Sequence, residues 1–122
     1  METKEATNIF MALSAEVRLD LFRLLVKHAP EGLVAGEIAQ ILEVTNTNLS
    51  FHLKTLLHAD LVSVEKEGRF LRYRANIPLM LDIVAYLTSE CCASNPEQCR
   101  RYRAASAVSQ AILPQCDPTD EG

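Results

Sequence analysis

Several residue types and patterns that mark broad classes of protein are missing from this sequence. It has no tryptophan, four glycines and 6% aromatic residues in 122 residues. No apolar run approaches the roughly 18 residues that a membrane-spanning helix needs. There is no Cys-x-x-Cys pair, no glycine-rich loop and no nucleophile paired with a histidine. These absences predict a protein with no membrane association that is not an enzyme, and they give no reason to expect an organic cofactor.

The amino terminus also lacks a secretory signal, because residues 1–7 contain neither a basic region nor an apolar one. We therefore expect a cytoplasmic protein whose four cysteines are thiols rather than structural disulfides. With 48% hydrophobic and 23% charged residues, the composition is that of a folded domain. The expected organisation is one domain over residues 1–113, followed by a polar, disordered tail over residues 114–122.

A surplus of positive charge is missing as well, since the net charge is −4. The charge is unevenly distributed, however. Residues 45–74 hold five cations and three acids, a local charge of +2, so the rest of the chain carries −6. A locally basic face on an acidic body still permits DNA binding, because phosphate attraction depends on local contacts.

The most informative segment runs from Thr45 to Val62. Its leucines recur at the spacing of a half-buried helix, which Thr45 or Asn46 can cap. The opposite face carries mostly short hydrogen-bonding side chains and one lysine, as a helix in a DNA major groove requires. The candidate DNA-contacting residues on this helix are Asn46, Thr47, Asn48, Ser50, Phe51, Lys54, Thr55 and His58.

The flanking patterns predict a winged helix-turn-helix, mainly α with a β-hairpin wing, in the order α-α-α-α-β-β-α plus a short carboxy-terminal helix. Arg69 and Arg72 of the wing are expected to contact phosphates or the minor groove. The helices before the segment are predicted over residues 5–13, 14–28 and 34–42. The hairpin is predicted from a strand beginning at Leu61, a turn at residues 67–69 and a strand over residues 70–75, and the last helix is predicted to end near Leu113.

A further helix is predicted over residues 77–90, with Pro78 in its first turn. It is apolar around most of its circumference, and a domain of this size rarely buries a helix on all sides. A dimer interface is the preferred interpretation, and a core helix of the monomer is the alternative.

Three thiols, Cys91, Cys92 and Cys99, lie within nine residues just after that helix. Trivalent arsenic and antimony form three bonds to sulfur, so this cluster predicts an As(III) or Sb(III) site. Zinc requires a fourth ligand, which only Cys116 or Glu97 can supply. Cadmium, lead, methylated trivalent arsenicals that need two thiols, and oxidation of Cys99 against a neighbouring cysteine remain alternatives. We expect the inducer to pull Cys99 back onto its neighbours and so distort the end of the preceding helix.

The central segment resembles the ArsR/SmtB family of metal-sensing repressors over residues 10–86. Asp60 stands where the family more often has glycine, a change that aspartate tolerates at a left-handed helix end. The matching residues are Leu42-x-Val44-Thr45-x-x-x-Leu49-Ser50-x-His52-Leu53-Lys54-x-Leu56-x-x-Ala59-x-Leu61-Val62, followed by Glu67-Gly68-Arg69 and Tyr73.

The resemblance implies a homodimer formed through the amino-terminal helix and the helix over residues 77–90, which represses transcription by binding an inverted repeat in double-stranded operator DNA. For His52, which matches a frequent histidine of the family, a packing and hydrogen-bonding role is preferred to base contact. Val34 and Gly36 replace the two cysteines that many members carry before the recognition helix. The resemblance is therefore to arsenite-responsive members whose site is a vicinal cysteine pair plus a third cysteine.

Overall fold

The computed structural model describes residues 1–91 and 93–113. The described chain forms six α-helices, three strands and a short 3-10 helix. In chain order they are α1 (Thr3–Leu13), α2 (Glu16–Lys27), β1 (Leu33–Val34), α3 (Ala35–Leu42), α4 (Asn46–His58), β2 (Val62–Glu67), β3 (Phe70–Ala75), α5 (Ile77–Thr88), α6 (Pro96–Ala105) and the 3-10 helix Gln110–Ile112.

The chain divides into two compact units, Met1–Met80 and Leu81–Gly122. The first unit is built on a continuous apolar core. The leucines that recur at helical spacing along α4 point into this core, as their periodicity predicted. The core residues with less than 2% exposure are Leu21, Leu25, Ile38, Leu49, Leu56 and Leu61.

Helices α3 and α4 form the predicted helix-turn-helix. The hydroxyl of Thr45 accepts a hydrogen bond from the backbone N–H of Asn48 at 3.2 Å, which caps α4 as expected. Asp60 closes the other end of α4 with a φ of +60°, the left-handed conformation anticipated for it. Glu43 also adopts a positive φ, of 54°, which the sequence did not indicate because glutamate rarely takes this conformation.

The wing is a β-hairpin, as predicted, with a two-residue turn at Gly68 and Arg69. Glu67 pairs with Phe70 across the turn, and Gly68 supplies the positive φ, of 62°, that such a tight turn requires. The sheet has a third strand that the sequence analysis missed. Leu33 of β1 pairs with Tyr73 of β3, giving the order β1-β3-β2. Burial at this position raises the pKa of Tyr73.

Several predicted boundaries differ from the structure. Ser14 ends α1 by donating to the carbonyl oxygen of Met11 at 2.7 Å, instead of capping α2. Helix α3 begins at Ala35, because Val34 is held in β1 while its N–H donates to the carboxylate of Glu37 at 3.2 Å. Helix α5 ends at Thr88, two residues before its predicted end, and α6 ends at Ala105 rather than near residue 113.

The second unit contains most of α5 and all of α6. Within the described chain, α5 has no buried residue, although almost all its side chains are apolar. Helix α6 begins with Asn95, whose side chain accepts from the N–H of Gln98 at 3.0 Å, and buries Cys99 and Arg103. The described part of the chain contains no helix long and apolar enough to cross a bilayer. The predicted disordered tail, residues 114–122, lies outside the described residues.

Candidate nucleic-acid interface and cysteine cluster

Helix α4 separates its leucines from its hydrogen-bonding side chains. Leu49, Leu53 and Leu56 are buried, and the predicted DNA-contacting residues lie on the exposed side. Of these, Thr55 is half-buried, and its hydroxyl donates to the carbonyl oxygen of Phe51 at 3.3 Å. The fully exposed members are Asn46, Thr47, Asn48, Ser50, Phe51, Lys54 and His58. This face therefore offers hydrogen-bond donors and acceptors of the kinds that contact base edges and phosphates.

His52 belongs to the interior side of α4. It is half-buried, and its Nδ1 lies 3.3 Å from Nη1 of Arg18. Because a guanidinium only donates, Nδ1 accepts, and the ring proton of neutral His52 is on Nε2. The Nε of Arg18 donates to the carbonyl oxygen of Ala12 at 2.6 Å. This network confirms the hydrogen-bonding role preferred for His52. No sequence signal pointed to Arg18.

Two arginines of the wing, Arg72 and Arg74, form ion pairs with acidic side chains of the same hairpin. Nε of Arg72 donates to Oε2 of Glu67 at 2.9 Å, and its Nη1 donates to the carbonyl oxygen of Gly32 at 3.3 Å. Arg74 pairs with Glu65 at 3.0 Å and with Glu67 at 3.9 Å. A phosphate contact by Arg72 would therefore compete with Glu67.

The two cations near the wing tip differ from Arg72 and Arg74 in their exposure and in their ion pairing. Among the described residues, Lys66 and Arg69 form no ion pair, and both are exposed. The guanidinium carbon of Arg69 lies 5.4 Å from the ring centroid of Phe70, on the edge of the hairpin turn. The charge available to DNA on the wing is thus concentrated at Lys66 and Arg69. Arg69 was predicted from the sequence as a DNA-contacting residue, whereas Lys66, which lies just before the turn, was not.

The cysteine cluster forms within the second unit. Cys91 lies in the turn after α5, where its N–H donates to the carbonyl oxygen of Thr88 at 2.9 Å. Cys99 lies in the first turn of α6 and is 1% exposed. The sulfur atoms of Cys91 and Cys99 are 3.4 Å apart. The two sulfurs are therefore already adjacent without a ligand, and the distortion of the preceding helix by an inducer stays a prediction.

Two features of the cluster bear on its chemistry. Cys92, the third predicted ligand, lies outside the described residues, and no group of three or more potential metal ligands occurs among the residues that are described. Cys99 is disulfide-bonded, which differs from the expectation of four thiols. Cys91 is not the other half of this bond, because 3.4 Å far exceeds a sulfur–sulfur bond of about 2.05 Å.

The basic run after Cys99 is divided between two sides of α6. Arg100, Arg101 and Tyr102 are exposed, but Arg103 is buried, with 8% of its surface accessible. The reason is helical geometry, since Arg103 lies four residues after Cys99 and hence on the same buried side of α6. A charge run on a short helix thus does not remain on one face.

Comparison with known proteins agrees with this architecture. Residues 13–65 match a family model described as a helix-turn-helix domain. Over 80 residues the chain is 28% identical to the transcriptional repressor SdpR of Bacillus subtilis (strain 168), a match that covers 66% of this chain and 86% of the relative. It is 34% identical over 67 residues to the arsenical resistance operon repressor of the same organism, which covers 55% of this chain and 62% of the relative.

A solved structure gives the same result. The ArsR-like transcriptional regulator from Rhodococcus sp. RHA1 matches with a TM-score of 0.66 at 25% identity, over 86% of this chain and 96% of that one. The chain therefore has a winged helix-turn-helix fold with a helix-turn-helix domain of the type found in transcriptional regulators.

Proposed function

We propose that this chain is a transcriptional repressor of the ArsR/SmtB family that binds operator DNA and is not an enzyme. The observation that carries this proposal is the exposed polar face of α4, backed by leucines and followed by a wing with cations near its tip. The similarity to two repressors and to an ArsR-like regulator supports the same class. Such a repressor acts in the cytoplasm, where its operator is found.

The proposed binding form is a homodimer on an inverted repeat, which places two copies of α4 in successive major grooves. Two apolar surfaces support dimerisation. Helix α1 exposes Phe10 and Met11, and α5 exposes Leu81 and Leu87, at 48% and 62%. An isolated chain gains nothing from leaving these side chains in water, whereas a second copy would cover them.

We infer that the inducer is As(III) or Sb(III), bound by the thiolates of Cys91, Cys92 and Cys99 after a cellular thiol reductant has cleaved the disulfide bond at Cys99. Thiolates favour soft centres, and the distance between Cys91 and Cys99 supports chelation. Two thiolates on one tetrahedral zinc, with Zn–S bonds of about 2.3 Å, are separated by about 3.8 Å, so sulfurs at 3.4 Å are already close enough to share one ion. A soft ion there would fix the turn between α5 and α6.

DNA release by such an ion follows from linkage. If the ion favours a dimer arrangement that does not fit the operator, it lowers DNA affinity by the coupling free energy, typically 1–3 kcal/mol or about 5- to 150-fold. Other thiophilic ions, including cadmium, lead and zinc, and methylated trivalent arsenicals are further candidate ligands of the same cysteines.

A second candidate function is thiol-redox sensing. The observation that favours it is the disulfide bond at Cys99, together with the thiol of Cys91 close to that sulfur. In this version oxidation of the cluster, rather than a metalloid, changes the affinity for DNA. The two versions share the DNA-binding surface and differ in the chemistry at Cys99.

The test is fluorescence anisotropy of the fully reduced protein on its own promoter DNA, titrated separately with arsenite, zinc and peroxide. Release by arsenite alone is the expected result. Cys91→Ser should still bind DNA and should no longer release it, while Cys116→Ser, the matched control, should behave as the parent. Release by peroxide alone would favour the redox version, and release of Cys91→Ser by arsenite would refute the site. Absence of DNA binding would refute the repressor.

A further inference from the structure

Phe51 is out of place for a surface position on α4. Its side chain is 66% exposed, and it lies in the middle of the face that carries the hydrogen-bonding residues. Every other fully exposed member of the proposed DNA-contacting face on α4 is polar or charged. Most of the apolar surface of this phenyl ring remains in water in the free protein, so the ring contributes little hydrophobic stabilisation there.

The ring has a defined surrounding on one side. It meets the imidazole of His52 edge to face, with centroids 5.8 Å apart and an interplanar angle of 76°, a favourable geometry for aromatic pairs. The imidazole is itself held by Arg18, which is anchored on the carbonyl oxygen of Ala12. Arg18 of α2 thus holds the imidazole against which the phenyl ring of Phe51 packs. The rest of the phenyl ring stays exposed.

We propose that Phe51 reads the C5-methyl group of a thymine in the major groove of the operator. This inference rests on the proposed DNA-binding function and assigns one specificity contact within it. In the major groove the thymine methyl is the one apolar group that distinguishes a base pair, and a phenylalanine is a suitable partner for it. Thr47 could also contact this group through its own methyl, but the water-exposed phenyl ring of Phe51 offers a larger apolar surface with which to bury it.

The proposal predicts sensitivity to one methyl group per half-site. Deoxyuridine pairs as thymidine does but lacks the methyl, so replacing the relevant thymine should weaken binding about fourfold, the factor for exposing one buried methyl group. A second duplex carries a C·G pair in place of the T·A pair at that position. Methylating its cytosine at C5 should strengthen binding by a similar factor, because the methyl group occupies the same place in the groove.

The experiment uses the reduced 122-residue chain and a duplex that this chain selects from a random-sequence DNA pool. Each thymine is replaced by deoxyuridine in turn, and binding is measured by fluorescence anisotropy for the parent, Phe51→Ala, Phe51→Leu and Phe70→Ala. Phe70 is the matched control because it is also an exposed phenylalanine, at 54%, and lies on the wing. The parent and Phe70→Ala should show the same sensitive thymine in each half-site, and Phe51→Ala should have lost that sensitivity.

Phe51→Leu keeps an apolar side chain and should retain part of the effect. A thymine that remains sensitive in Phe51→Ala would overturn the inference, and so would a parent with no sensitive thymine, while the proposed repressor function would survive both results. Failure to select any duplex would overturn the repressor function and this contact together. Because Phe51 is exposed, the variants should fold, and far-ultraviolet circular dichroism checks that they do.

Discussion

The guanidinium of Arg18 donates to Nδ1 of His52 across 3.3 Å and thereby joins helix α2 to helix α4. The same side chain donates to the last turn of α1 through the carbonyl oxygen of Ala12. One residue therefore ties three helices together behind the proposed DNA-contacting face. Neither partner is fully exposed, so water replaces these hydrogen bonds only in part when they are lost.

Arg18→Ala should lower the free energy of unfolding by about 1–3 kcal/mol. The substitution removes two hydrogen bonds that a charged group donates, and it leaves one carbonyl oxygen without its donor. Urea denaturation followed by circular dichroism measures this change. Arg23→Ala is the matched control, since Arg23 is exposed on the same helix and should change stability by less than about 0.5 kcal/mol. An equal loss of stability in both variants would contradict the proposed role of Arg18 in joining the helices.

Arg69→Ala should weaken binding to all DNA sequences and should reduce the slope of log K against log salt by about 0.9, the contribution of one phosphate contact. Lys66→Ala is expected to behave in the same way. Arg72→Ala should reduce the slope less, because Arg72 is already paired with Glu67 and with the carbonyl oxygen of Gly32. A larger slope change for Arg72 than for Arg69 would contradict this division of the wing.

Gly32→Ala should destabilise the fold by about 3 kcal/mol. Gly32 has a φ of +73°, and an added Cβ would clash with the backbone carbonyl oxygen of Tyr73, so left-handed strain and overpacking add. Gly36→Ala is the comparison, because a Cβ there meets no atom within 4 Å. Since Gly36 lies in α3, alanine should raise stability by about 0.5 kcal/mol. Thermal or urea unfolding distinguishes the two, and similar stabilities would disprove the clash.

Leu87→Glu should convert the proposed dimer into a monomer, because it places a charge within the apolar surface of α5 that a second copy is expected to cover. Analytical ultracentrifugation at micromolar concentration measures the mass. Leu19→Glu is the control, since Leu19 is also an exposed leucine, at 44%, but lies on α2. A monomeric parent protein would refute the proposed dimer. A Leu87→Glu variant that remains dimeric would show that the interface lies elsewhere.

Much of the architecture followed from local patterns. The leucines of α4 fixed which side of the helix is buried, Thr45 marked its start, and Gly68 marked the turn of the wing. These features depend on neighbours within a few residues, so periodicity and capping chemistry suffice to find them. The candidate DNA-contacting face on α4 could be identified for the same reason, since it is the side opposite the leucines.

The sequence by itself therefore determined the kind of fold, the exposed face of α4 and the presence of a cysteine cluster. The tertiary structure decided how these groups are paired. The register of β2 against β3 brings Glu65 and Glu67 to the wing arginines, chain folding over 34 residues brings Arg18 to His52, and the turn before α6 brings the sulfur of Cys91 next to that of Cys99. Local periodicity shows which side of an element is buried, but a contact between distant residues depends on how the elements pack.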